Sequence, residues 1–498
     1  MVTAGTRAGW RWLAERYGAE PVQPLPAASS LPASVRPAHD LQAQLTFALK
    51  HERLHLELLA RLFARIEPLE LEVWIRREPT GQYARRAGFF FEWLTGRTLA
   101  VPDTAAGNYV DAIDAGAYLT STSFIAVKRW RVRNNLPGTC QFCPVVSRSP
   151  EVLAAEAIDF AHALAELESA YGQDILQRSA VWLTIRESRA SFAIEHEESQ
   201  QGRIQRFAAT MESMCGRSED PLALDSLAAL QASILGPAAT RYGLRRSPVF
   251  VGHLNTYSDV VDYIAPHWDA ILPLLEGLRA SLACTVGRPP AVRAAVAAFG
   301  FVYIHPMSDG NGRISRFLIN DILRRDGAVP APFILPVSAS ITRSAFARAV
   351  YDQTLAVFSR PLMRKYAQQY QFGAMAEYDD GVRSNFQFGA YEDAMAAWRY
   401  PDLSKHAAYL GGVLRHTLAE EMPDEAAYLR GVYSARREVK NWLEGPDAEI
   451  DRIVRAVREN GWAVSNKLKK EFPMLADAEL AGRIEHAVQA AFSPGSAR

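Results

Sequence analysis

Along most of the 498-residue chain the apolar positions recur every three to five residues, which predicts helices. In "LQAQLTFALKHERLHLELLARLFARI" the series Leu41, Leu45, Leu49, Leu54, Leu58 and Leu62 predicts one long buried helix. From Pro150 to about Ser233 the text is helical again. Pro266 opens a further helix. "PPAVRAAVAAFGFVYI" is mostly apolar and predicts a helix that stops at His305, because the residue before Pro306 is pushed out of helical geometry. Another helix begins near Arg313, with Ile314, Phe317, Leu318 and Ile322 on one face. One stretch breaks the rhythm. In "SPVFVGHLNTYSDVVDYI", residues 247–264, the β-formers Val249, Phe250 and Val251 and then Val260, Val261, Tyr263 and Ile264 flank a polar segment, which predicts a short hairpin among helices. Residues 20–40 read as an extended surface segment, and residues 97–150 as irregular, punctuated by Gly107, Pro137, Gly138, Pro144 and Pro150. Beyond about residue 360 helices continue, and the tail reads as three short helices broken at Gly461 and Pro473.

The expected fold class is therefore mainly α with one inserted β-hairpin. The length suggests about three domains. The expected parts are an N-terminal helical and irregular accessory region (1–150), a central domain (151–360), a helical extension (361–440), and a small C-terminal module (441–498) of helix-turn-helix or winged-helix type. Composition narrows the function classes. With 55 basic and 55 acidic side chains, the zero net charge argues against bulk electrostatic coating of nucleic acid and leaves local patches open. The N-terminus lacks a signal-peptide apolar core and no window approaches the roughly 20 apolar residues of a membrane span, which predicts a cytoplasmic protein. Four cysteines fit a reducing compartment, and the pair Cys140 and Cys143 in "CQFC" supplies only two of the four ligands that a structural zinc needs, so it reads as loop thiols.

The densest chemistry lies in "HPMSDGNGRISR", His305 to Arg316, between two predicted helices. Gly310, Asn311 and Gly312 allow tight or left-handed turns, so successive N–H groups can face one concavity. The positive end of the next helix adds to an anion cradle. Arg313 and Arg316 lie on one face of its first turn and can grip phosphate bidentately. Asp309 is a hard oxygen ligand suited to Mg²⁺ that is held partly by a nucleotide's own phosphates. His305 at the entrance can act as a general base.

This stretch resembles the motif HPFxxGNGRxxR of the Fic (filamentation induced by cAMP) family, with Met307 in place of the usual phenylalanine, an exchange that an adaptable apolar filler can absorb. The resemblance implies protein adenylyltransfer. His305 would take the proton from a Ser, Thr or Tyr hydroxyl of a target protein, which attacks the α-phosphorus of ATP. The backbone at Gly310, Asn311 and Gly312 would hold phosphate charge, Asp309 would hold Mg²⁺, and Arg313 and Arg316 the outer phosphates. "SPVFVGHLN" resembles the family's flap hairpin, placing Val251 and Gly252 beside the nucleotide, and an exposed hairpin edge can take up a target segment by strand addition. "ITRSAFARAVY" resembles its Arg-x-x-aromatic stretch, with Phe346 at the adenine pocket or, equally, in the core. In "SRASFAIEHEE", Ser191 and Glu195 resemble the inhibitory motif (S/T)xxxE(G/N), in which the glutamate takes the second arginine, here Arg316, away from the γ-phosphate. His196 stands where the family has Gly or Asn, and Glu195 can alternatively belong to an acidic run with Glu197 and Glu198. The resemblance thus implies a self-inhibited type with its inhibitory motif N-terminal to the core.

Other readings stay open at this point. Family members also remove AMP from modified proteins or transfer other phosphate-containing groups. A homodimer is compatible with the chain. "HERLH", His51 to His55, matches the HExxH zinc-protease pattern if it lies on one helix. A regulator with DNA-binding by the tail is the alternative from a different class, since "SNKLKKEF" carries Lys467, Lys469 and Lys470; these lysines also suit a solvated face.

Overall fold

The computed structural model describes residues 9–26, 35–236, 243–255 and 258–493. Part of the predicted extended segment at 20–40 lies outside these. The fold is mainly α, and among the described residues the strands form only one three-stranded sheet and two hairpins. No described helix is long and apolar enough to cross a membrane.

The chain builds three buried apolar clusters. One gathers Trp10, Leu45, Phe63, Trp74, Phe90 and Trp130 from the N-terminal region. A small one gathers Val439, Ile450, Val454, Leu468 and Ile484 near the C-terminus. The largest lies between them, centred on helix Pro290–Ile304, whose side chains are buried on nearly every face as its continuous apolar text requires. Helix Asn311–Arg325 packs along it. Leu119, Phe142 and Val146 join this central cluster, so the N-terminal region is anchored in it. A second tie is the buried guanidinium of Arg61. It pairs with Glu57 at 2.9 Å and Asp393 at 3.1 Å and donates to the Tyr366 hydroxyl.

The structure corrects the sequence reading in four places. The predicted long helix after residue 41 is two, Leu41–His51 and Leu56–Phe63. Glu52 turns extended and accepts from the Trp10 amide at 2.7 Å, while the Nδ1 atom of His55 caps the second helix by accepting from Leu58 N. The HExxH text therefore straddles a helix break, and its histidines do not share a helix face. Among the described residues no group of three or more His, Cys, Asp or Glu side chains is placed to hold a metal, and all four cysteines are free. Residues 97–150 are not wholly irregular, since Val110–Asp111, Ile125–Val127 and Val132–Asn134 form a small sheet. In the tail the helices Asp447–Glu459, Asn466–Glu471 and Ala478–Ala491 are present, but no strand follows Phe388 among the described residues, so a wing is not.

The fourth correction bears on the site. Strands Phe250–Asn255 and Ser258–Ile264 pair as the predicted hairpin, with a bulge at Val251/Gly252. A second hairpin, Tyr370–Glu377 with Arg383–Phe388, stands where continued helix was expected. Its signal was legible in "YDDGVR", where Asp380 and Gly381 make the turn between alternating β-formers. Tyr370, Phe372, Phe386 and Phe388 share one face of this hairpin. Phe250 of the first hairpin packs into it, 4.7 Å from Phe386 and 5.5 Å from Phe372. Asp380 at the tip accepts from the Arg246 amide and the Ser247 hydroxyl, both at 2.8 Å. A two-stranded ribbon is marginal alone, so the second hairpin braces the first. Phe386→Ala is expected to cost about 3 kcal/mol locally and to speed amide hydrogen exchange in strand Ser258–Ile264. Unchanged exchange there would show that the hairpins do not support each other.

Candidate active site

The site begins at a helix stop. Helix Pro290–Ile304 ends on His305, which takes the left-handed conformation with φ of 49°. Arg245 secures the stop from below. It is buried, donates from Nε to the His305 carbonyl at 2.8 Å, and gives its other guanidinium nitrogens to the Ser247 and Pro266 carbonyls. One cation thus joins His305 to the root of the hairpin. Burial first, and then Arg245, pull the His305 imidazole down to about 4, so the ring is neutral at physiological pH. Its Nδ1–H donates to the Val302 carbonyl at 3.2 Å, which leaves the Nε2 lone pair as the proton acceptor.

After His305 the loop is shaped by its own side chains. Asn311 is buried, accepts from Met307 N at 2.9 Å and donates to Met307 O at 2.8 Å, closing the turn across itself. Met307 fills the core position beneath, 1% exposed, as the exchange for phenylalanine predicted. Gln231 donates to the Asp309 carbonyl and accepts from Gly243 N. Gly310 has φ of 92°, a conformation that side chains disfavour. The first bond of helix Asn311–Arg325 runs from Ile314 N to the Gly310 carbonyl. The amides of Asn311, Gly312 and Arg313 therefore precede any intrahelical bond, at the positive end of the helix.

Glu195 now occupies this cradle. A β-carbon at Gly312 would collide with the Glu195 carboxylate, so this glycine, which lies inside helix Asn311–Arg325 and not in a left-handed turn, is required by close approach. Glu195 caps helix Gln173–Ile194 and accepts from Arg316 Nη2 at 2.7 Å. Arg316 also donates from Nε to the Ser191 hydroxyl at 2.7 Å and from Nη2 to the Ser191 carbonyl at 3.0 Å. The pair is asymmetric, with 3% of the Arg316 side chain exposed against 37% for Glu195. Burial alone would push the Glu195 carboxyl up, but Arg316 outweighs it and holds it below its ordinary value, so it stays ionised. Ser191, Glu195 and Arg316 are thus brought together as the sequence pattern implied, and Glu195 is not merely part of a solvated acidic run.

His196 completes this turn. It adopts φ of 59°, the left-handed geometry that Gly or Asn would take, and the next amide, Glu197 N, bonds back to the Phe192 carbonyl at 2.9 Å. The departure at His196 therefore leaves the helix end unchanged in shape and adds backbone strain.

Asp309 accepts from its own following amide, Gly310 N, and from Arg313 Nη2 at 2.7 Å. Val251 is exposed at the bulge of the first hairpin, and a β-carbon at Gly252 would collide with the Val260 carbonyl. Phe346 lies in the first turn of helix Ala345–Tyr366 and is 77% exposed, so it is not a core side chain. Sequence reasoning missed Arg245, Gln231, Arg203 and Glu197. Arg245 showed only as one of two adjacent arginines before the hairpin, Gln231 and Arg203 as single polar letters in helical text, and Glu197 as one acid of a run.

Comparison with known proteins fits this geometry. Residues 221–323 match the Fic/DOC family model. The matched span holds the hairpin, His305, the cradle and both arginines, and leaves out Ser191, Glu195 and Phe346. The chain is 28% identical over 178 residues to "Protein adenylyltransferase fic-1" of Caenorhabditis elegans, covering 34% of this chain and 32% of the relative. It is 26% identical over 178 residues to the protein of that name from Caenorhabditis briggsae, covering 35% and 32%. A 41-residue stretch is 54% identical to "Protein adenylyltransferase Fic" of Aedes aegypti, 8% of each chain. The chain thus spans about a third of the length of the first two relatives. A crystal structure of a Fic family protein from Desulfovibrio desulfuricans G20 aligns over 66% of this chain and 95% of its own, at 18% identity and a TM-score of 0.40.

Two measurements check the local physics. In an NMR titration the His305 ring is expected to protonate near pH 4, not near its ordinary 6.5; a midpoint at 6 or above would contradict its desolvation. Replacing His196 by glycine relieves the left-handed strain, and is expected to stabilise the end of helix Gln173–Ile194 by roughly 1 kcal/mol, read as slower exchange of the Glu197 amide.

Proposed function

We propose that this chain is a protein adenylyltransferase that moves AMP from ATP to a Ser, Thr or Tyr hydroxyl of a target protein. The observation that carries this reading is a neutral His305 with its Nε2 lone pair free, beside an anion cradle at Gly310–Arg313. The match of residues 221–323 and the names of the relatives support it.

In the mechanism, His305 Nε2 accepts the hydroxyl proton as the oxygen forms its bond to the α-phosphorus. The bridging Pα–O bond breaks and pyrophosphate leaves. The amides of Asn311, Gly312 and Arg313 stabilise the charge that develops on the phosphate oxygens, the effect that usually dominates such sites. Arg316 is assigned the γ-phosphate and Arg313 the neighbouring oxygens. Phe346, exposed at the start of its helix, offers a face for the adenine, and the Val251–Gly252 bulge borders the nucleotide. Asp309 fits as the one carboxylate of a Mg²⁺ site whose remaining ligands come from phosphate and water, since it is a half-exposed hard oxygen donor beside the cradle. Such an ion would neutralise phosphate charge. The first hairpin would take up the target segment on its edge and set the hydroxyl against His305.

Glu195 gives the same site a resting state. Its carboxylate occupies both the Gly312 approach and the guanidinium assigned to the γ-phosphate, so ATP cannot settle productively while it is in place. The inhibition is intramolecular.

The experiment is incubation of the full chain and a cell lysate with Mg²⁺ and ATP labelled at the α- or γ-phosphate. Label is expected from the α-position alone, and γ-label would indicate a kinase instead. His305→Ala is expected to lose transfer at least a hundredfold and keep ATP binding. Glu195→Gly is expected to raise automodification. Full transfer by His305→Ala would refute the base assignment, and release of AMP from already modified protein as the faster reaction would favour the deAMPylase direction.

A further inference from the structure

Two residues past Glu195, the Glu197 carboxylate makes the same kind of contact with the other motif arginine. Its Oε2 accepts from Arg313 Nη1 at 2.6 Å and its Oε1 from Arg203 Nη1 at 2.8 Å. Arg203 lies in the first turn of the next helix, Gln201–Met214. Both guanidinium groups stand over the Phe192 ring, at 5.0 Å for Arg313 and 5.5 Å for Arg203. The Arg313 side chain is only 4% exposed, and the Nε atoms of both arginines are buried without a hydrogen-bond partner. Arg203 Nη2 also lies 3.9 Å from Asp309 Oδ2.

We infer that Glu197 is a second inhibitory carboxylate, which holds Arg313 as Glu195 holds Arg316, with Arg203 as its positioning residue. This rests on the adenylyltransferase reading above. Charge supplies one argument. Arg203, Arg313 and Arg316 are balanced at rest by Glu195, Glu197 and Asp309, which leaves the cradle neutral. Departure of Glu195 alone leaves one net positive charge. Departure of both carboxylates leaves two, which matches the two negative charges of the ATP–Mg²⁺ complex. Geometry supplies the other. The Glu197 amide closes the left-handed turn at His196 that also ends the helix bearing Glu195. Both carboxylates are therefore carried by one helix end, and undoing one turn frees both arginines.

The test uses the full chain as Glu197→Gln, Glu195→Gly and the double variant. Automodification from α-labelled ATP and the dissociation constant of a non-hydrolysable ATP analogue with Mg²⁺ are measured for each. Replacing a charge-assisted contact by a neutral one is expected to tighten nucleotide about tenfold and to raise automodification in Glu197→Gln, and the double variant is expected to exceed Glu195→Gly. A merely structural Glu197 would lower the melting temperature and leave nucleotide affinity at the wild-type value, which overturns the inference. Glu197→Ala reads the same affinity should the glutamine variant fold poorly. If Glu195→Gly shows no transfer from ATP, the adenylyltransferase reading fails instead, and the affinity measurement still decides on Glu197: tighter binding supports the second restraint, unchanged binding overturns it.

Discussion

A guanidinium with 2% of its residue exposed cannot stand uncompensated in a protein interior, and Arg316 is such a group. Its partners come from a helix more than a hundred residues earlier: the Ser191 hydroxyl and carbonyl, and the Glu195 carboxylate. That need for compensation fixes helix Gln173–Ile194 against the start of helix Asn311–Arg325, and it determines what lies over Gly312. The same helix is held a second time by Glu187. Burial pushes the Glu187 carboxyl up to about 7, yet it still accepts from the Ser338 amide and hydroxyl at the start of helix Val337–Thr342. The segment that would restrain the site is thus tied to the core at one end and opens onto solvent at the other. Such an arrangement suits a part that opens without unfolding the domain.

The proposed base and cradle depend on a related economy of shape. Three left-handed residues within the site, His196, His305 and Gly310, turn the chain where helices must end facing one point. Only one is glycine. At His305 the surroundings impose the geometry, through Arg245 beneath and Pro306 behind, and the side chain gains a desolvated position with one ring nitrogen already occupied. A half-buried neutral imidazole is the state in which a general base is useful, so strain at the helix stop and the proposed chemistry have the same origin.

The second hairpin shows how an accessory element can govern a site it never enters. Phe250 is seated among Phe372 and Phe386, and Asp380 holds the chain just before the first hairpin. The edge proposed to receive a target therefore stands on residues more than 120 positions further along the chain. The N-terminal region reaches the same neighbourhood through Arg61 and Asp393.

By itself the sequence determined the helical class, the hairpin at 247–264, the stop at His305 and the twelve-residue constellation, because these rest on periodicity, proline sterics and near-neighbour spacing, all local properties. It also exposed the Ser191–Glu195 pattern through resemblance. Only the tertiary structure decided the rest. The break at Glu52 depends on an amide 42 residues away. The aromatic face of the second hairpin became meaningful once Phe250 lay against it. Arg245 and Gln231 are ordinary polar letters until their distant carbonyl partners are in place. Glu197 reads as one of three acids in a solvated run until folding sets Arg203 and Arg313 on either side of it. Pairing of charges across long chain separations is a property of packing, and no local pattern encodes it.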